Sequence, residues 1–416
     1  MNILLVAYFF PPCRDIGAAR PAAMARHLSR LGHGVTVVTT RAHGELPDDA
    51  ERGVHRAPDL QLARARLQGE RTISSLYDAD TYSGRPHPLS RVLVPEPLVA
   101  AWTPFARAMA LRLAASERFD CVVTTSPPES AHVIGLALRR RRGVAWVAEL
   151  RDAWGFESLR PPFPLAAQRR LDGWLERRTL AGADAVVCVS QPGAADLRVR
   201  GIAEPVVIEN GWDPEHVVGA RAERSGVALG PDRVSLVYTG RFGRGRDPGP
   251  LVAALAMLAR DAPEIAARLE LVVAGPLTPE EHELLGRGVP PARIATLGTL
   301  PHDRVLALQR EADGLLLIAH PERSQLLNYK LFEYLAAERP ILALAAGTEA
   351  GRVAREVGGE VVAAGDVRAI AAALRRLSGE GLPVPDRAAA ARYAYPAPAE
   401  RLVRVIEAAI SHRAST

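Results

Sequence analysis

Of the 52 lysine and arginine side chains in this 416-residue sequence, Lys330 alone is a lysine. A coding bias that strong leaves few lysines by accident, which makes this position a first candidate for chemistry. It stands in Asn328-Tyr329-Lys330-Leu331-Phe332-Glu333-Tyr334, a segment that reads as a helix opening near Asn328 and ending before Pro340. Lys330 and Glu333, three residues apart, share one face near the positive end of the helix dipole. A carboxylate suits that end, whereas a cation in the first turn costs about 0.3–1 kcal/mol. An anion such as phosphate, gathered by the free N–H groups, would account for the lysine. The competing reading is a solvated Lys/Glu pair on an ordinary amphipathic helix.

Two further constellations carry chemistry. Val234 to Gly240 reads as a strand, followed by Arg241-Phe242-Gly243-Arg244-Gly245-Arg246-Asp247-Pro248-Gly249 and a helix from Pro250. Glycines permit close backbone approach, and guanidinium groups make forked hydrogen bonds to phosphate oxygens, so this loop is a plausible diphosphate cradle. It lacks the G-K-[ST] ending of a Walker loop. In the first half, the strand Val144 to Leu150 delivers Arg151, Asp152 and Trp154 at its C-terminal end, the edge at which open α/β sheets bind ligands. That trio suits a sugar or phosphate; the alternative is an Arg/Asp pair bracing the loop. Gly17, just before a helix, could bring N–H groups near a phosphate or be a plain turn glycine. Asp78-Ala79-Asp80 matches a metal-holding D-x-D, but it lies in an irregular polar stretch and reads as coincidence.

The elements that must position these groups alternate strand and helix. Ile3–Ala7, a Pro/Gly loop, a helix to Leu31 and Val35–Thr39 form a β-α-β unit without the G-x-G-x-x-G of dinucleotide binding. From 45 to 104 the periodicity is poor, and surface loops with short helices are expected. A helix from Pro104 to Ser116 and the strand Asp120–Thr125 follow. Ser126 then reads as a cap before Pro127-Pro128, opening a helix that closes on Arg139 to Arg142, where positive charge suits the dipole. Those arginines could also touch an acidic membrane surface, although a solvated helix end is the more economical explanation. After Leu150 come a helix to Leu180 and the strands Ala185–Val189 and Val206–Ile208, with a domain boundary after Pro214. Strands at Leu269–Ala274, Arg293–Leu297, Gly314–Ile318 and Ile341–Leu344 build a second parallel sheet. A last helix, Ala397 to Ser411, could cross back to the first domain.

Length admits two ordinary domains. A net charge of +5 with scattered basic residues ranks dedicated nucleic-acid binding low. Cys13, Cys121 and Cys188 are too few and too dispersed for a disulfide framework or zinc site, which favours a reducing, cytoplasmic location. The opening Met1–Ala7 reads as a buried strand rather than a signal peptide. No apolar run reaches spanning length.

With these segments placed, the chain resembles the retaining, nucleotide-sugar-dependent glycosyltransferases of the GT-B fold, closest to a bacterial branch acting in cell-surface polysaccharide or glycolipid assembly. The resemblance rests on the loop from Pro11-Pro12 to Arg20, on Ser126-Pro127-Pro128-Glu129-Ser130-Ala131-His132, on Glu149-Leu150-Arg151-Asp152-Ala153-Trp154, on Glu209-Asn210-Gly211, on Gly240-Arg241-Phe242 and on Lys330-Leu331-Phe332-Glu333-Tyr334. It implies an α/β protein of two Rossmann-like doubly wound domains facing a cleft. Residues 1–214 would hold the acceptor and 215–395 the nucleotide sugar, with 396–416 packing back on the first domain. It also implies that Arg241, Arg246 and Lys330 serve the leaving diphosphate, Arg246 standing where the family usually has lysine. Gly17, Gly240, Asn328, Leu331 and Glu333 would bind the donor, Glu333 through the ribose hydroxyls. His132, Arg151, Asp152 and Gln325 would be acceptor-side or cleft residues, Gln325 replacing the family's glutamate. The donor would be a UDP- or GDP-sugar, with no metal and no other cofactor. The acceptor would be a glycan or lipid-linked, reached at the inner face of a membrane, and nucleic acid is no partner. An epimerase or hydrolase on the same scaffold, or a non-catalytic nucleotide-sugar-binding subunit, are the alternatives.

Overall fold

The computed structural model describes residues 1–13, 15–62, 92–157, 162–202, 204–215, 224–243, 246–319, 321–327 and 329–415; Asp78-Ala79-Asp80, Arg244, Gly245 and Asn328 lie outside them. The chain divides into two compact units, Met1–Glu209 with Pro396–Thr416, and Asn210–Tyr395.

The first unit is built on a seven-stranded sheet of order β3-β2-β1-β4-β5-β6-β7, every pairing parallel. Its strands are β1 (Asn2–Ala7), β2 (Gly34–Thr40), β3 (Val54–Ala57), β4 (Cys121–Ser126), β5 (Ala145–Leu150), β6 (Ala185–Cys188) and β7 (Val206–Val207). All six residues of β4 and of β5 are buried, as expected for strands covered by helices on both faces. Strand β3 sits in the stretch expected to be loop. Its sequence, Val-His-Arg-Ala, carries no apolar run although three of its four residues are buried, because Arg56 is buried as an ion pair with Asp49.

The helices of this unit include α1 (Ala19–Arg30), α2 (Ala131–Arg142) and α3 (Ala166–Leu180). Helix α2 starts five residues after the expected cap at Ser126, which belongs to β4. Proline disfavours the helical region for the residue before it, so Pro128 keeps Pro127 out of a helix and the first turn waits for Ala131. Gly143, in the left-handed conformation at φ 71°, stops α2 after its four arginines. The C-terminal helix Ala397–Ser415 packs on α1 and β5, and its Arg401 pairs with Glu209 at 2.8 Å.

The second unit has a six-stranded parallel sheet of order β10-β9-β8-β11-β12-β13. The strands are β8 (Val234–Thr239), β9 (Leu269–Ala274), β10 (Arg293–Gly298), β11 (Gly314–Ile318), β12 (Ile341–Leu344) and β13 (Glu360–Val362). Around it lie α4 (Gly249–Asp261), α5 (His302–Glu311) and α6 (Tyr329–Ala337), among others. The turn Asn210-Gly211-Trp212 belongs here rather than to the first unit, because Trp212 N–H donates to the Tyr393 carbonyl and Tyr395 N–H donates to that of Trp212, both at 3.0 Å. These bonds move the boundary ahead of the expected Pro214. In each sheet the strand order reverses at one point, between β1 and β4 and between β8 and β11, and such switch points open the crevices where doubly wound folds bind ligands.

Candidate functional site

At the β8/β11 switch point, β8 is followed by Gly240 with φ 100°, a conformation that favours glycine. A side-chain carbon there would also sit 3.2 Å from Lys330 Nζ. Gly275, at the end of β9, packs so closely on the Gly240 carbonyl that any Cβ would collide with backbone. Two glycines at adjacent strand ends thus let the loop after β8 lie against the start of α6.

Lys330 is the second residue of α6. Its Nζ is buried without a hydrogen-bond partner among the described residues and lies 3.9 Å over the ring of Tyr238. Phe242 stacks on the same ring, centroids 4.2 Å apart and nearly parallel; both groups cannot share one face, so Tyr238 is sandwiched between them. The Tyr238 hydroxyl donates to the Arg241 carbonyl at 2.6 Å, pinning the loop. Burial, then the charge of Arg246, push the Lys330 ammonium well below the usual lysine range, with Glu333 pulling the other way. A cation-π contact is worth about 2 kcal/mol when desolvated, less than the several kcal/mol that burying an ion costs. The solvated Lys/Glu pair is therefore not what the structure contains: the ammonium is shielded from water and, among the described residues, forms no ion pair.

Glu333, one turn on, accepts from Gln309 Nε2 at 3.2 Å and faces His302 Nε2 at 3.5 Å. Gln309, fully buried on α5, also donates to Thr239 Oγ1 at 3.0 Å, and the Tyr334 hydroxyl meets Thr239 N–H and Oγ1. Glu333 is thus aimed by neighbours that drew no notice in the sequence. His302 and Gln309 lie on an amphipathic helix whose pattern looks ordinary, and only the fold brings α5 beside α6.

Arg241 is exposed and Arg246 half-buried. Arg246 Nε turns back onto the carbonyls of Phe242 and Gly243 at 2.5 and 3.1 Å, which tightens the loop and holds its charge near Lys330. Leu331 is wholly buried in the core, so its backbone N–H is what it can offer a ligand. Gln325, buried, lies in the turn before α6. An open pocket of about 320 Å³ beside the loop is lined by Arg246, Asp247, Glu280 and Glu281, among others. Its three carboxylates make it hostile to phosphate, and the anion position argued from Lys330 lies elsewhere.

In the first unit the expected residues collect at the β1/β4 switch point. Arg151 donates from Nε to the Ser126 carbonyl at 2.9 Å, from Nη2 to that of Pro127 at 3.2 Å, and from Nη1 to the Gly17 carbonyl. It acts as a clamp joining the loops after β1 and β4, with Asp152 adding its charge nearby. Gly17 N–H is taken up by Asp15 Oδ1 at 2.6 Å, so a phosphate there would have to displace a carboxylate. Arg20, which had carried only a family resemblance, is buried with Glu149 at 2.9 Å and donates to the carbonyls of Ile208 and Glu209.

His132 is completely buried. Its Nδ1 lies 2.8 Å from Thr124 Oγ1, to which Trp146 Nε1 donates at 2.8 Å, and its ring stacks on Trp154. Gly135 is required one turn on, because any side chain would run into the Trp146 indole. Burial pushes the imidazole down to about 3, so it is neutral at physiological pH. Its Nε2 and the Ser126 hydroxyl are buried without partners.

Residues 22–216 match the family model "Glycosyltransferase Family 4" and residues 233–380 match "Glycosyl transferases group 1". No curated protein matches the sequence. Sucrose-phosphate synthase from Thermosynechococcus elongatus has a similar structure, with 18% identity, 98% of each chain covered and a TM-score of 0.67. HepE from Anabaena, solved with UDP and glucose, shares 14% identity over 98% of this chain and 99% of its own, TM-score 0.61. The α,α-trehalose-phosphate synthase of Burkholderia xenovorans, solved with glucose-6-phosphate, gives the same four figures. With a glycosyltransferase family matched in each half and two parallel sheets of the corresponding kind, this chain is a glycosyltransferase of the GT-B fold.

Proposed function

We propose that this enzyme moves a sugar from a UDP- or GDP-sugar to a hydroxyl of a glycan or lipid-linked acceptor, with retention of configuration and without a metal. The observation that carries the reading is the buried, partnerless ammonium of Lys330 at the start of α6, beside the Gly240–Arg246 loop. A pyrophosphate would supply the missing counter-charge, and solved complexes of HepE with UDP and UDP-glucose support a donor of that class.

In this reading the bond between the anomeric carbon and the diphosphate oxygen breaks and one to the acceptor oxygen forms on the same face. The acceptor's proton passes to the departing phosphate, so no protein base is needed. Lys330, Arg246 and Arg241 with the first-turn N–H groups of α6 meet the negative charge as it grows, the largest catalytic contribution available to such a site. Glu333, held by Gln309 and His302, accepts from the ribose hydroxyls. On the acceptor-side unit, neutral His132 offers Nε2 to a hydroxyl, while Arg151 positions loops rather than substrate. Residues 1–209 would serve the acceptor and 210–395 the donor.

Incubation with radiolabelled UDP- and GDP-sugars and a membrane lipid extract tests this directly. Label in lipid is the expected result; free sugar would make the protein a hydrolase, and label held only by protein would make it a binder. Alanine at Arg241 or at Glu333 is expected to weaken donor binding, and unchanged affinity in both by calorimetry would overturn the site.

A further inference from the structure

Helix α3 presents to solvent a face of unusual composition. Ala167, Arg170, Leu171, Trp174, Arg177 and Arg178 recur at helical spacing and are all exposed, Leu171 and Trp174 at 46% and 48%, with Leu165 just before the helix at 62%. The two carboxylates of α3 are turned away. Asp172 accepts from the buried Trp154 indole at 2.9 Å, and Glu176 is buried against Gly155 and Arg200. Arg140, at the end of α2, joins Trp174, Arg177 and Arg178 around one shallow groove of about 400 Å³. Arg139 to Arg142 end that helix, and Arg140 to Arg142 are exposed.

Arg139, Arg200, Arg352 and Arg392 close ion pairs. Among the described residues, Arg140, Arg141, Arg142, Arg170, Arg177 and Arg178 have no carboxylate partner. Arg178 instead lies over the Trp174 ring at 5.4 Å. Guanidinium groups without carboxylate partners around exposed indole and leucine side chains suit an anionic surface with an apolar layer beneath it. A polyanion such as nucleic acid would satisfy the charges and leave Leu165 and Leu171 in water.

We infer that the outward face of α3, with the arginine end of α2, docks on an anionic phospholipid bilayer, Trp174 and Leu171 entering the headgroup boundary while the arginines meet lipid phosphates. This rests on surface chemistry of the first unit and is independent of the donor assignment. Among the described residues no helix is long and apolar enough to cross a membrane, and the contact is peripheral.

The test is co-sedimentation of the full chain with phosphatidylcholine vesicles with and without phosphatidylglycerol. Binding is expected only to the anionic vesicles and is expected to weaken with added salt. Arg177→Gln and Arg178→Gln should each lower the association constant about fivefold, and Trp174→Ala roughly tenfold. Unchanged circular dichroism and unchanged UDP or GDP affinity would show that these variants remain folded. Failure to bind anionic vesicles at low salt overturns the inference, as does binding that all three variants retain in full. Self-association lost in Trp174→Ala without vesicle binding would reassign the face to a second copy of the chain and equally overturn it.

Discussion

The two switch points have the same topology and opposite electrostatics. At β1/β4 the buried cations are satisfied by the protein itself: Arg20 by Glu149 and two carbonyls, Arg151 by three carbonyls. The partnerless groups left there, His132 Nε2 and the Ser126 hydroxyl, are uncharged. At β8/β11 the partnerless group is an ammonium whose nearest compensation is an aromatic ring. A doubly wound sheet supplies the crevice in both cases, and the side chains decide what it waits for. Neutral hydrogen-bonding groups suit hydroxyls; an uncompensated cation suits an anion.

This contrast breaks most visibly at Glu149. Replacing it by alanine strands Arg20 in a dry interior, and removal of one partner from a buried pair costs about 3–5 kcal/mol. Urea denaturation should show that loss, and a loss below 1 kcal/mol would mean that the first switch point is not held by its ion pair.

The next effect is on acid stability. His132 in the folded chain titrates at about 3 against 6.5 unfolded, so between those values the unfolded state binds the proton that the folded state refuses. Stability is intact above pH 6.5 and falls towards pH 3, by about 1.4 kcal/mol per pH unit in that window. His132→Gln should flatten this part of the acid limb, and a limb of unchanged slope would remove His132 from the account.

Lys330→Met sharpens the comparison by its sign. Losing a charged hydrogen-bonding group should weaken nucleotide binding by about 1.5–3 kcal/mol, while unfolding stability stays level or rises, because the variant buries no unpaired ion. Burial pushes the Lys330 pKa well below its usual range and a phosphate would raise it again, so any proton exchanged on nucleotide binding should be taken up rather than released. Calorimetry in buffers of different ionisation enthalpy measures that uptake, which Lys330→Met should abolish. A variant that is destabilised and binds normally would make Lys330 structural. The smallest effect is at Gln309, where alanine frees Glu333 and should cost about 1 kcal/mol of nucleotide affinity.

Much of this fold is legible along the chain because parallel strands buried on both faces must be continuous apolar runs, and β1, β4, β8, β9, β11 and β12 are such runs within a residue or two. Strands β3 and β13 are not: β3 buries Arg56 through its pair with Asp49, β13 is only half-buried, and Ser126 resembles a cap because a local pattern does not reveal that proline delays the helix. The lone lysine, the arginine–glycine loop and the alternation of strand and helix are properties of residue order, and order alone establishes them. Tertiary structure alone decides that Lys330 is dry, that Tyr238 and not Glu333 lies beneath its ammonium, that Gln309 and His302 flank Glu333, and that Arg151 spends its donors on backbone. Each is a question of which side chain fills space next to another across distant segments. Desolvation and pairing, the two terms that turn a charged residue into a site, exist only once that packing has formed.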